Sequence, residues 1–139
     1  MRPGIAVALA AASLARVAGA YGPETNYALH CQGCHLADGT GMPGRIPPLA
    51  GGALAPLLRA PGGRAFLARV PGVANAPLGD ADLAALLDWT LDHFAAGDRP
   101  ADFAPYTAEE IGRLRASPLV DVGAERRRVL DAAAAKVAR

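Results

Sequence analysis

Two cysteines and the histidine that follows them constrain this chain more than any other feature. The 139 residues contain only two cysteines, Cys31 and Cys34, and His35 comes directly after the second. Every cysteine is therefore committed to a single C-x-x-C-H sequence. A disulfide would suit such a pair in an exported protein. A dithiol redox site would suit C-x-x-C in a thioredoxin-like setting. A structural zinc site would need four Cys or His ligands, and only His30 and His93 remain to complete one, a poor set.

The adjacent histidine favours a further reading, because C-x-x-C-H is the spacing of covalent haem attachment. On a helical turn, positions three and four apart share a face. Both thiols can then reach the two vinyl groups on one haem edge and form thioethers. His35, at the end of the same turn, directs its imidazole over the ring centre as the proximal iron ligand. This assigns one covalently attached haem c, bound through Cys31 and Cys34, with His35 as the metal ligand. Aromatic residues make up 5% of the chain, so its own core is thin and a bulky buried cofactor would help to fill it.

The start of the chain reads as a secretion signal. Met1-Arg2-Pro3-Gly4 is short and basic, residues 5–15 are small and apolar apart from Ser13, and Ala18-Gly19-Ala20 is a small-x-small cleavage pattern. The apolar run is too short to span a bilayer. Residues 1–20 are expected to be removed after Ala20, giving a periplasmic protein. Loss of Arg2 and Arg16 turns a formal charge of +1 into −1, which gives no field pointing to nucleic acid or a membrane surface. The charge is uneven, however: residues 21–106 carry net −3 and residues 107–139 net +2.

The remaining pattern is helical. Pro23 suits an early helical position, and the helix it opens is expected to run into the cysteines. Residues 38–52 are rich in Gly and Pro and read as loop. Residues 63–70 form a short helix candidate ended by Pro71-Gly72, and residues 73–77 read as irregular. Asp80 looks like an N-cap, followed by Leu83, Leu86, Leu87, Leu91 and Phe94 at helical period, to a stop at Gly97. Residues 100–105 read as a linker. Thr107 to Glu110 is a capping-box signature, and residues 121–137 are a last helix candidate. No strand-like alternation and no internal repeat is visible. The domain reading is a haem domain over 21–99 and a helical C-terminal extension over 100–139.

Residues 24–96 resemble a class I cytochrome c. The resemblance rests on the helix entering Cys31-Gln32-Gly33-Cys34-His35, the loop Asp38-Gly39-Thr40-Gly41, then Pro47-Pro48-Leu49, and the helix from Asp80 to Phe94. It implies an all-α fold whose first and last core helices cross beside the haem, with Tyr27 and Trp89 meeting at the crossing. It also implies that the Pro47 carbonyl accepts the Nδ1–H of His35, which fixes the imidazole and raises its donor strength.

One part of that family pattern is missing. Most members supply a methionine as sixth iron ligand from the loop before the last core helix, and Gly72-Val73-Ala74-Asn75-Ala76-Pro77-Leu78 contains none. Met42, Asn75 and His93 are the side chains left to consider, with water or no ligand as the alternatives. The expectation for Met42 is loop packing, for Asn75 a hydrogen bond to bound water or nothing, and for His93 a half-exposed surface position. His30 should point away from the iron. Arg126-Arg127-Arg128 reads as a solvated helix face, or as a docking surface for an acidic partner or for the acidic core.

The function expected is that of an electron carrier rather than an enzyme. It would move single electrons between a periplasmic dehydrogenase or oxidase and another redox carrier, with the haem doing the redox chemistry. The alternative is a small-ligand sensor or minor peroxidase-like enzyme using an open sixth position. A peroxidase would want a distal acid–base residue, which the sequence does not place. A third possibility is a haem subunit held within a larger enzyme through the tail.

Overall fold

The computed structural model describes residues 21–137, so the export signal read over residues 1–20 lies outside the described residues. Among the described residues eight helices follow one another: α1 (Pro23–His30), α2 (Gln32–His35), α3 (Ala55–Arg59), α4 (Gly63–Arg69), α5 (Pro71–Ala74), α6 (Asp80–Phe94), α7 (Ala108–Arg115) and α8 (Val122–Val137). Among the described residues no strand forms. The loop between α2 and α3 contains one isolated antiparallel bridge, Met42 to Ile46.

The crossing of α1 and α6 is the frame of the molecule. Tyr27 of α1 is buried and meets Trp89 of α6 with ring centroids 5.4 Å apart and Phe94 at 5.1 Å, both tilted. Tilted aromatic contacts of this kind favour one crossing geometry beyond the area they bury. The apolar stripe expected on α6 is the one that is buried: Leu83, Leu86, Leu87 and Leu91 all face the core.

The helix from Pro23 runs into the cysteines as its pattern indicates, ending at His30 with Cys31 as its cap, whose φ of −122° breaks the helical path before α2 restarts. Local boundaries differ from the sequence pattern in three places. Gly79, not Asp80, is the cap residue of α6, leaving Asp80 in the first turn free to pair with Arg115. Residues 71–74, which read as a helix end and irregular chain, form the turn α5, with Pro71 in its first turn, where its missing N–H costs nothing. The segment α3 carries no sequence signal, being too short for periodicity to mark it.

The C-terminal extension is built into the same core. Thr107 caps α7 as its spacing indicates, its hydroxyl oxygen accepting the Glu110 N–H at 3.1 Å. Helix α7 packs against α4, α5 and α6, and α8 packs against α3 and α4. Tyr106, Ile111, Leu119 and Val129 are buried in one cluster with Tyr27, Leu57 and Leu83. Arg64 of α4 ties the linker down. Its Nε and Nη2 each donate to the Glu110 carboxylate at 2.6 Å, its Nη1 donates to the Ala104 carbonyl at 2.6 Å, and its guanidinium lies 4.0 Å over the Tyr106 ring.

Candidate functional site

A cavity of about 360 Å³ opens beside the cysteine turn. Its walls are almost wholly apolar. Ile46, Pro47, Pro48 and Leu49 come from the α2–α3 loop, Phe66, Leu67 and Val70 from α4, Val73 from α5, and Leu83, Leu86, Leu87 and Leu91 from α6. Cys31, Cys34 and His35 line its mouth together, so the structure brings the predicted site residues onto one surface. Cys31 and Cys34 form no disulfide among the described residues; Cys31 is half-buried and Cys34 exposed. Burial, with the neighbouring Cys34, pushes the Cys31 thiol up.

Several contacts fix His35. Its Nδ1 lies 3.2 Å from the Pro47 carbonyl oxygen, the position from which a neutral imidazole donates its Nδ1–H and leaves the Nε2 lone pair free. Burial holds the His35 pKa below its ordinary value, only partly opposed by the Pro47 contact, so the ring is neutral near pH 7. The Pro47 carbonyl occupies space that only a glycine at position 41 leaves open. That glycine has φ of +66°, and a Cβ there would stand 2.6 Å from the Ile46 oxygen and 2.8 Å from the Pro47 oxygen. The chain reverses directly after His35 through Leu36, a non-glycine residue at φ of +61°. The Tyr27 hydroxyl donates to the Leu36 carbonyl at 2.7 Å and secures that strained turn.

The loop between α5 and α6 is held from outside. Arg115, in the last turn of α7, donates from Nε to the Ala74 carbonyl at 3.0 Å, from Nη2 to Ala76 at 2.5 Å and from Nη1 to Leu78 at 2.8 Å. One guanidinium thus satisfies three loop carbonyls, and it meets the Asp80 carboxylate at 3.1 Å as well. Asn75 is exposed on this loop. Met42 is bound up in the bridge to Ile46, and His93 stacks on Trp89 at 4.6 Å on the exposed side of α6. None of Met42, Asn75 and His93 is among the residues lining the cavity, whereas His30 lines its mouth.

Two residues of the site are not marked by the sequence. Arg115 reads there as an ordinary basic residue at a helix end. Arg126, which the basic run puts on a solvated or docking face, lines the cavity. The spacing from Val122 through Arg126 to Val129 is one helical face, and that signal could have placed Arg126 inward.

Two thiols and a neutral imidazole on one turn, facing an apolar cavity, are a donor set and an enclosure that fit a macrocycle attached at its edge and ligated at its metal. Fold and site together define the c-type cytochrome class. The comparisons agree. The chain is 35% identical to cytochrome c-552 of Thermus thermophilus, over 71% of this chain and 90% of that relative. It has the same 35% identity to the cytochrome c-552 of a particular strain of that species, where the match covers 80% of the relative. No protein-family profile matches the chain. The chain belongs to the c-type cytochrome family. It has the all-α class I fold, carries one haem c and is an electron-carrying haem protein.

Proposed function

We propose that the haem is attached through Cys31 and Cys34, that His35 is its proximal ligand, and that the protein is exported and shuttles single electrons between a periplasmic dehydrogenase or oxidase and another carrier. The observation that carries the site assignment is the shared mouth of the cavity: both thiols and the imidazole face it, with Nδ1 of His35 engaged by Pro47. The haem supplies a one-electron iron couple. His35 contributes a ligand whose orientation is fixed by the Pro47 carbonyl, and Gly41 leaves the room that carbonyl needs. The apolar walls would enclose most of the macrocycle, and the half-exposed cysteine edge is where an electron would enter or leave. The export reading rests on residues 1–20 of the sequence. Among the described residues no helix is long and apolar enough to cross a membrane.

The sixth iron position is read as open, or filled by water. Supporting this, the loop before α6 holds no methionine, Arg115 ties that loop down, and neither Met42, Asn75 nor His93 lines the cavity. Without a thioether ligand the potential should lie below that of a His/Met cytochrome. In the matured protein the haem should stay with the chain through acid–acetone extraction and denaturing electrophoresis, and the Cys31→Ala, Cys34→Ala double variant should lose it. The ferrous form should bind carbon monoxide readily. Extraction of haem from the unaltered protein would overturn the attachment, and failure to bind carbon monoxide would overturn the open position.

A further inference from the structure

The cavity contains one charged side chain whose role the electron-carrier reading leaves unexplained. Arg126 of α8 lines it, brought inward because Val122 and Val129 on the same face pack into the core. Its neighbours are differently placed: Arg128 is exposed and paired with Glu125 at 2.6 Å, and Arg127 is exposed. Among the described residues Arg126 has neither an ion-pair nor a hydrogen-bond partner.

Of the other polar side chains lining the cavity, His30 stands beside the cysteine turn, Cys31, Cys34 and His35 are assigned to the haem, and the hydroxyls are already engaged within the protein. The Tyr27 hydroxyl donates to Leu36, the Thr90 hydroxyl to the Leu86 carbonyl at 2.7 Å, and the Tyr106 hydroxyl to the Arg64 carbonyl at 2.9 Å. Away from the cysteine turn, the side chains of the walls offer a bound molecule hydrogen bonding through Arg126. Arg126 is half-buried, and an anion that reaches its guanidinium beside the apolar walls gains a charge-assisted hydrogen bond.

We propose that Arg126 makes the open face of the haem pocket a binding site for small inorganic anions, of the azide or nitrite class, in preference to neutral ligands. This rests on the reading that the sixth iron position is open. An anion bound there would have its negative charge met by ferric iron and by the α8 guanidinium. A neutral ligand would see only the apolar wall. The C-terminal extension would then set the ligand selectivity of the haem, in addition to closing the core.

The test uses the matured holoprotein and its Arg126→Leu, Arg126→Lys and Arg127→Leu variants. Azide and neutral imidazole are titrated against the ferric form and carbon monoxide against the ferrous form, each followed by the main haem absorption band, and the midpoint potential is measured for all four proteins. Arg126→Leu should weaken azide binding at least about tenfold, the scale of one charge-assisted hydrogen bond, while imidazole and carbon monoxide change by less than about twofold. Arg126→Lys should retain part of the azide affinity, and Arg127→Leu should match the unaltered protein. Equal losses for azide and imidazole would overturn the proposal, since they would report a damaged pocket. An unchanged azide affinity with a shifted potential would also overturn it, because Arg126 would then serve the haem's own carboxylates. If the unaltered protein takes up none of the three ligands, the open position fails and this inference with it. If carbon monoxide and imidazole bind and azide ignores Arg126, the open position stands and only the inference falls.

Discussion

At the scale of single residues, the His35 side of the cavity depends on the Pro47 carbonyl, which the family resemblance singles out. His35 is oriented by the Pro47 oxygen, and that oxygen occupies room left by the absence of a side chain at Gly41. Gly41→Ala therefore carries two costs: a methyl-bearing residue at φ of +66°, and a Cβ driven against two carbonyl oxygens. Gly44 separates them, because it has φ of +73° but open space around its Cβ position. Gly44→Ala should cost about 1 kcal/mol in urea unfolding from the backbone alone, and leave the haem untouched. Gly41→Ala should cost about 2–3 kcal/mol. It should also raise the midpoint potential, because a weakened Nδ1–H bond makes the imidazole a poorer donor to ferric iron. An unshifted potential in a folded Gly41→Ala protein would show that Pro47 does not tune the ligand.

At the scale of elements, the helices that carry the site are more legible in the sequence than those that complete it. Helix α6 announces itself through five apolar residues at one period, and α7 through its Thr107 cap. The cysteine turn is legible because its chemistry requires that spacing, and the separation of Pro47 from His35 can be read from the family resemblance. Arg115 is not legible, because a lone arginine near a helix end carries no sign of where the helix will be placed, and Arg126 is marked only by sharing a helical face with Val122 and Val129, a signal the surrounding basic run masks. Only tertiary packing turns Arg115 onto the loop carbonyls and Arg126 onto the cavity. The same packing makes α7 sensitive to acid. The hydrogen bond from Arg64 holds the Glu110 carboxyl below its ordinary value of 4.5. Glu110 thus ionises more readily in the folded chain than in the unfolded one. Its pairing adds stability above that ordinary value and loses it as the pH falls through the lowered folded value. Urea midpoints for the holoprotein and Glu110→Gln should correspond to a difference of about 1 kcal/mol at pH 7, a figure discounted because solvent reaches the pair. The difference should shrink toward zero at acid pH. A gap that is constant with pH would mean that the pair contributes through shape rather than charge.

At the scale of the whole molecule, the question is whether the extension is an appendage or part of the domain. Its charge alone favours contact, since residues 107–139 are net positive and the preceding stretch is net negative. Burial gives the stronger argument. Ile111 and Val129 are 0% and 1% exposed, and Tyr106 and Leu119 are buried with them in the single cluster that also holds Tyr27 and Leu83. A fully buried side chain of this size contributes about 1.5–3 kcal/mol, so these four together contribute on the order of 6–12 kcal/mol before ordering costs. That is comparable with the whole net stability of a small domain, about 5–15 kcal/mol. A chain ending at Arg99 should therefore not form a stable apoprotein. With haem attached it should unfold at far lower urea, bind hydrophobic dyes, and lose the sharp carbon monoxide spectrum of a closed pocket. The decisive comparison is between the full-length and shortened holoproteins by urea unfolding followed at both the haem band and the far-ultraviolet helix signal. If the shortened protein unfolds in one transition within about 1 kcal/mol of the full chain, residues 21–99 are a self-sufficient domain, and α7 and α8 only lie upon it.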